Sequence, residues 1–209
     1  MVKKISEINT FTELFKLILN KDKEDSRQAA REVRKLLYSS RSDNQFNEIG
    51  NIVKNAQKTC AGIQEDWRKE NFVTAVSVLY FLHPKEDQPD FLFPWLLELI
   101  QHENGNIRRS AERMIVHELG PLTVHIRFPN EDHSDRMDPE KADFILLNLF
   151  INLNNLLATL WKPTYKKYKY IDSLPTSPYK TVSRIFGEME DDCGLKYMKK
   201  LKNLAVMPT

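Results

Sequence analysis

The side chains with the clearest chemistry in this 209-residue chain are cationic and aromatic rather than nucleophilic. The run Trp161–Tyr170, WKPTYKKYKY, interleaves one tryptophan and three tyrosines with four lysines. Lysine neutralises phosphates and aromatic faces stack on bases, so this mixture suits a nucleic-acid surface. The same composition describes a solvated loop whose tyrosine rings pack back onto a core. Lys166, Lys167 and Lys169 are the candidate contacts. Two arginine clusters, Arg27, Arg31 and Arg34 and then Arg108, Arg109 and Arg113, add surfaces that would take acidic peptide or phosphate. Glu32 and Glu112 lie within each cluster and are placed to neutralise it along a helix.

Other chemistry is thin. His125, Asp132, His133 and Asp135 are metal-ligating types, but their spacing matches no zinc or calcium pattern, and no metal is expected. GxSxG, GxxxxGK[ST] and GxGxxG are absent, so no catalytic residue or cofactor is assigned and no enzyme is expected. Cys60 and Cys193 are far apart and read as free thiols of a reducing compartment. The opening MVKKISEINT lacks the apolar core of a secretory leader, and a cytoplasmic protein is expected. Phe144–Trp161 is apolar enough to suggest a membrane span, against which Asn148, Asn152, Asn154 and Asn155 argue.

These groups must be carried by helices. An apolar fraction of 41% with 29% charged residues allows a folded core, and six glycines with no β-type alternation favour helix over sheet. The plainest unit is Asp90–Leu119. Leu92, Trp95, Leu96, Leu99 and Ile100 form one stripe, and Ile107, Ser110, Ala111, Met114, Ile115 and Val116 form a second. The turn between them contains Gly105, able to take positive φ, and Gly120-Pro121 is expected to close the second helix. Similar pairs are predicted over 10–38, 45–82 and 138–191, the second with one continuous helix over 45–64 and the last opening on Asp138-Pro139. His83-Pro84 should end the second pair. An irregular insert spans 121–138, with a short extended piece at 123–128, and a basic tail over 195–209 is expected to fray. Asn148, Asn152, Asn155 and Thr159 draw a narrow polar stripe on the long helix, read as a face toward water or a groove for a ligand.

The 90–120 unit resembles a HEAT repeat, through Pro94 in its first helix, the leucines after it, and Ile107-Arg108 followed by Ala111. His102 stands about where that family has an Asp. A weaker echo lies 81 residues earlier, where Phe11, Leu14, Phe15 and Ile18 fall on Leu92, Trp95, Leu96 and Leu99, and Arg27 falls on Arg108. That spacing is about two repeats of roughly 40–47 residues. The resemblance implies a right-handed α-α superhelix of about eight helices in one domain over 1–209, whose second helices line a concave face. It implies a non-catalytic scaffold that binds a protein partner. The alternative is a nucleic-acid-binding protein similar to the HEAT-like alkylpurine DNA glycosylases. Basic side chains converging on one surface would favour nucleic acid, and scattered ones the scaffold.

Overall fold

A computed structural model describes residues 5, 8–38, 43–82, 88–130 and 137–206. The protein is all-α: among the described residues there are ten α-helices and no strand. The chain divides into two compact units, Met1–Lys85 and Glu86–Thr209, each holding two of the predicted hairpins.

In the first unit, α1 (Phe11–Ile18) starts at Thr10, whose hydroxyl accepts from the Glu13 amide, and buries Phe11, Leu14, Phe15 and Ile18. α2 (Lys23–Leu37) starts at Asp22, whose carboxylate accepts the Asp25 amide at 2.8 Å. Its inward face is Ser26, Ala29 and Val33. The buried Ser26 hydroxyl donates to the Ile18 carbonyl at 2.7 Å and accepts from the Asn71 side chain at 3.0 Å, tying the α1–α2 turn to α5 (Asp66–Leu79). α2 packs between α1 and α5, and α5 buries Phe72, Val73, Ala75, Val76 and Leu79.

The single helix predicted over 45–64 is two, α3 (Asp43–Lys54) and α4 (Ala56–Ala61). Asn55 interrupts it with ψ of 5°, its side-chain amide donating to the Asn51 carbonyl at 2.8 Å. Asparagine competes in this way with the regular ladder. His83-Pro84 lies outside the described residues.

In the second unit, α6 (Phe93–Leu99) carries Pro94 in its first turn, where a missing N–H costs little. α7 (Gly105–Leu122) begins after Asn104, whose side chain accepts the Asn106 and Ile107 amides. The turn therefore does not use positive φ at Gly105, and Gly194 is the one positive-φ residue among those described.

Gly120-Pro121 does not end α7, which runs on through both. Pro121 sits in the last turn, where the Thr123 hydroxyl and the Arg127 guanidinium bond the Leu119 and Gly120 carbonyls at 2.7 and 2.8 Å. The extended piece expected at 123–128 is a helical turn, α8 (Val124–Arg127), for the same reason: Arg127 also donates to the Thr123 hydroxyl. Local bonding overrides the β-branched composition.

α9 (Pro139–Leu160) is capped by Asp138 and packs on α7 and on α10 (Pro178–Val206) through Ile145, Leu146, Leu149 and Leu153. By length and composition α9 is apolar enough to cross a membrane. The tail expected to fray is helical to Val206. α10 is broken at Gly194, with φ of 73° and ψ of 158°, so its second half sets off in a new direction.

Candidate functional site

The lysine–tyrosine run folds into a short 3-10 turn, Pro163–Lys167, and a second turn, Ile171–Ser173, follows it against α10. Tyr165 stacks on Tyr179 with ring centres 5.0 Å apart, which anchors the segment. Trp161 and Tyr170 remain exposed, and Lys166 and Lys169 lie over their rings at 5.7 and 5.2 Å. Lys167 covers Tyr168 at 5.1 Å. The aromatic faces and the lysines thus pair with one another along the chain, around a cleft of about 390 Å³ that reaches Phe186 and Glu190.

Phe186 and Glu190 also line a second, larger groove of about 570 Å³ between α9 and α10. Its floor is Phe150, Ile151, Phe186 and Met198, its rim Lys199 and Lys202. Phe150 and Phe186 meet with centres 5.7 Å apart. Leu195, just past the Gly194 break, lines the groove while 79% exposed. Of the nine exposed large apolar side chains among the described residues, six fall in 144–204: Phe144, Trp161, Tyr170, Ile171, Leu195 and Leu204. The sequence stripe missed this groove because α10 was expected to end before it. The polar stripe itself is solvent-facing: Asn148, Asn152, Asn155 and Thr159 are all exposed, and Asn152 and Thr159 bond carbonyls four residues back. Asn155 also borders the groove.

The arginines do not share one role. Arg27, Arg31 and Arg34 are exposed along α2. On α7, Arg109 and Arg113 are exposed, but Arg108 is only 3% exposed and is no surface residue. Its Nη1 donates to the His102 and Glu103 carbonyls at 2.7 and 2.8 Å, closing the α6–α7 turn. Burial lowers its pKa, against the pull of Glu103. Arg109 lines a third cleft with Lys180 and Arg184, apart from Lys166 and Lys169.

Among the described residues no group of three or more ligating side chains occurs, at His125 or elsewhere. Its expected neighbours Asp132, His133 and Asp135 lie outside the described residues. His125 instead meets Asp143 at 2.8 Å, and the same carboxylate takes bonds from Tyr197 and from Lys200, the latter at 2.7 Å. Burial works to raise the Asp143 pKa, but the bonds from Lys200, Tyr197 and His125 outweigh it and hold the carboxyl below its usual range. Next to it, burial first and then Asp192 and Asp143 push the Cys193 thiol up to about 12. A thiol so poorly ionised is a weak nucleophile. This cluster pins the second half of α10 to α8 and α9 across the Gly194 break; only the Asp138-Pro139 start and the apolar spacing of α9 hinted at it. No family model, curated protein or solved structure matches the chain.

Proposed function

We propose that the chain is a non-catalytic helical scaffold of HEAT-like character that binds a protein partner, and that the α9–α10 groove receives an amphipathic, acidic helix of that partner. The carrying observation is the groove itself: an apolar floor of Phe150, Ile151, Phe186 and Met198, an exposed Leu195, and a rim of Lys199 and Lys202. A helix laying apolar residues at i, i+3 or i+4, and i+7 into such a groove is a common recognition mode, and acidic flanks would complement the lysines. The packing within each unit is consistent with stacked hairpins, since second helices lie together: α2 on α5 and α7 on α10. Helical-peptide phage display on the whole protein tests the reading. Enriched sequences should carry that apolar spacing with Asp or Glu alongside. Their affinity should fall about tenfold or more in L195D and in K199E/K202E. Enriched peptides indifferent to both variants would sink it.

A second reading rests on the exposed Trp161 and Tyr170 beneath Lys166 and Lys169. It is a single-stranded nucleic acid stacked along that cleft. Fluorescence anisotropy with labelled single-stranded DNA, duplex DNA and RNA at two salt concentrations separates the two. Binding that weakens steeply with salt and is lost in K166A/K167A/K169A would replace the peptide reading with this one.

A further inference from the structure

We propose that the cleft between the first turns of α7 and α10 binds a phosphate-bearing anion. This cleft holds about 300 Å³ and is lined by Arg108, Arg109, Lys180 and Arg184, with Glu112 the one carboxylate among its lining residues. Four cations against one anion leave it a formal charge of +3. Two long helices begin there, α7 at Gly105 and α10 just after Ser177, so both helix dipoles turn their positive ends toward the space.

Only part of this charge is met within the protein. Arg108 is 3% exposed, its hydrogen bonds go to two uncharged carbonyls, and its buried Nε has no partner. Lys180 likewise donates to carbonyls, those of Asp172 and Leu174, at 2.7 and 3.0 Å. A guanidinium enclosed with only the pull of Glu103 to offset its burial is costly, and an anion in the cleft would relieve that cost. Glu112 partly plays this part: its carboxylate lies 3.3 Å from Arg184 Nε. Burial raises the Glu112 pKa despite the opposing pull of Arg184 and Arg109. One carboxylate supplies a single charge, whereas a phosphate monoester brings nearly two and three acceptor oxygens for the Arg109 and Arg184 forks. Exposed Arg184 and Arg109 can turn toward it while Arg108 and Lys180 stay fixed in the wall.

The site is independent of the α9–α10 groove. Isothermal titration of the full chain with inorganic phosphate at constant ionic strength should give saturable one-to-one binding. R109A and R184A, which alter exposed side chains, should each weaken it about tenfold. R113A, on the same helix outside the cleft, should leave it within about twofold. E112Q should tighten it several-fold by freeing Arg184. A phosphoserine peptide and a nucleoside 5′-monophosphate as further titrants tell the source of the phosphate: the tighter of the two names it, and sulfate should bind more weakly than either. No saturable phosphate heat up to about 10 mM, the weak limit of useful affinity, would overturn the proposal. Binding equally weakened by R113A would do the same, since that is general attraction to a basic surface.

Discussion

The α1–α2 and α6–α7 hairpins match over most of their apolar positions and differ at the residue that closes the turn. Phe11, Leu14, Phe15 and Ile18 are buried, as are Leu92, Trp95, Leu96 and Leu99, their counterparts 81 residues on. Arg27 is exposed and its counterpart Arg108 is enclosed. The connection accounts for this. Residues 19–22 join α1 to α2, whereas 100–104 join α6 to α7, one residue more. In the α6–α7 turn the His102 and Glu103 carbonyls lie where the Arg108 guanidinium takes both. The shorter turn needs only the Ser26 hydroxyl on the Ile18 carbonyl. What closes the turn, two carbonyls on a guanidinium or one carbonyl on a hydroxyl, separates a structural brace from a surface charge at matching positions.

The largest expected effect breaks that comparison directly. Arg108→Ala leaves two carbonyls without their donor and opens a void. Urea unfolding followed by circular dichroism should register a loss of about 2–4 kcal/mol. Arg108→Lys should recover little of it, because a point-like ammonium cannot fork. Arg27→Ala should fall within about 0.5 kcal/mol of the parent. Equal losses at both positions would mean that the two turns are closed alike. Ser26→Ala comes next, at about 1–2 kcal/mol, since it strands the Ile18 carbonyl and the Asn71 amide.

A second contrast sets two glycines of α10 against each other. Gly194 has φ of 73° with open space around a would-be Cβ, and Gly187 has equally open space but helical φ. Gly194→Ala should cost about 1–3 kcal/mol through backbone strain alone. Gly187→Ala should gain about 0.5–1 kcal/mol. Thermal melts of the two single variants should therefore move in opposite directions. Shifts of the same sign would show that the break at Gly194 is not held by its conformation.

Much of the fold was legible because it rests on periodicity: the apolar stripes of α1, α6 and α7 are the buried faces, and Thr10 and Asp138 cap the helices that open on them, whereas the caps at Asp22 and Asn104 were hidden in polar runs read as turns. The misreadings arose where a bond distant in sequence, or a side chain bonding its own helix, overrode composition. Gly120-Pro121 looks like a stop, yet Thr123 and Arg127 satisfy the carbonyls there and α7 continues. Arg108 looks like its exposed neighbours Arg109 and Arg113, and nothing local betrays that two carbonyls await it. The α9–α10 groove depends on helix persisting beyond a glycine, and Cys193, Met198 and Leu201 supply the buried stripe that continues it. That stripe was present in the sequence and was outweighed by the lysines around it.

The smallest effect concerns charge, and it separates the ionic bracing of α10 from the neutral Ser26–Asn71 bracing of α2. Asp143 has its pKa depressed in the folded chain. Its contribution to stability is therefore fully present above the carboxylate's unfolded value, about 4. It is lost as pH falls through the lower folded value. Asp143→Asn should make the protein modestly less stable at neutral pH and shrink the difference from the parent as pH drops below about 4. The effect is small because a third of the Asp143 side chain stays in contact with water, which screens its bonds to Lys200 and His125. Ser26→Ala, with no ionisable group lost, should show the same deficit at both ends of that range. Chemical denaturation of parent, Asp143→Asn and Ser26→Ala at pH 7 and near pH 3 measures all three. A gap for Asp143→Asn that stays constant with pH would assign the carboxylate a packing role, and its three donors would then be holding α10 by shape rather than by charge.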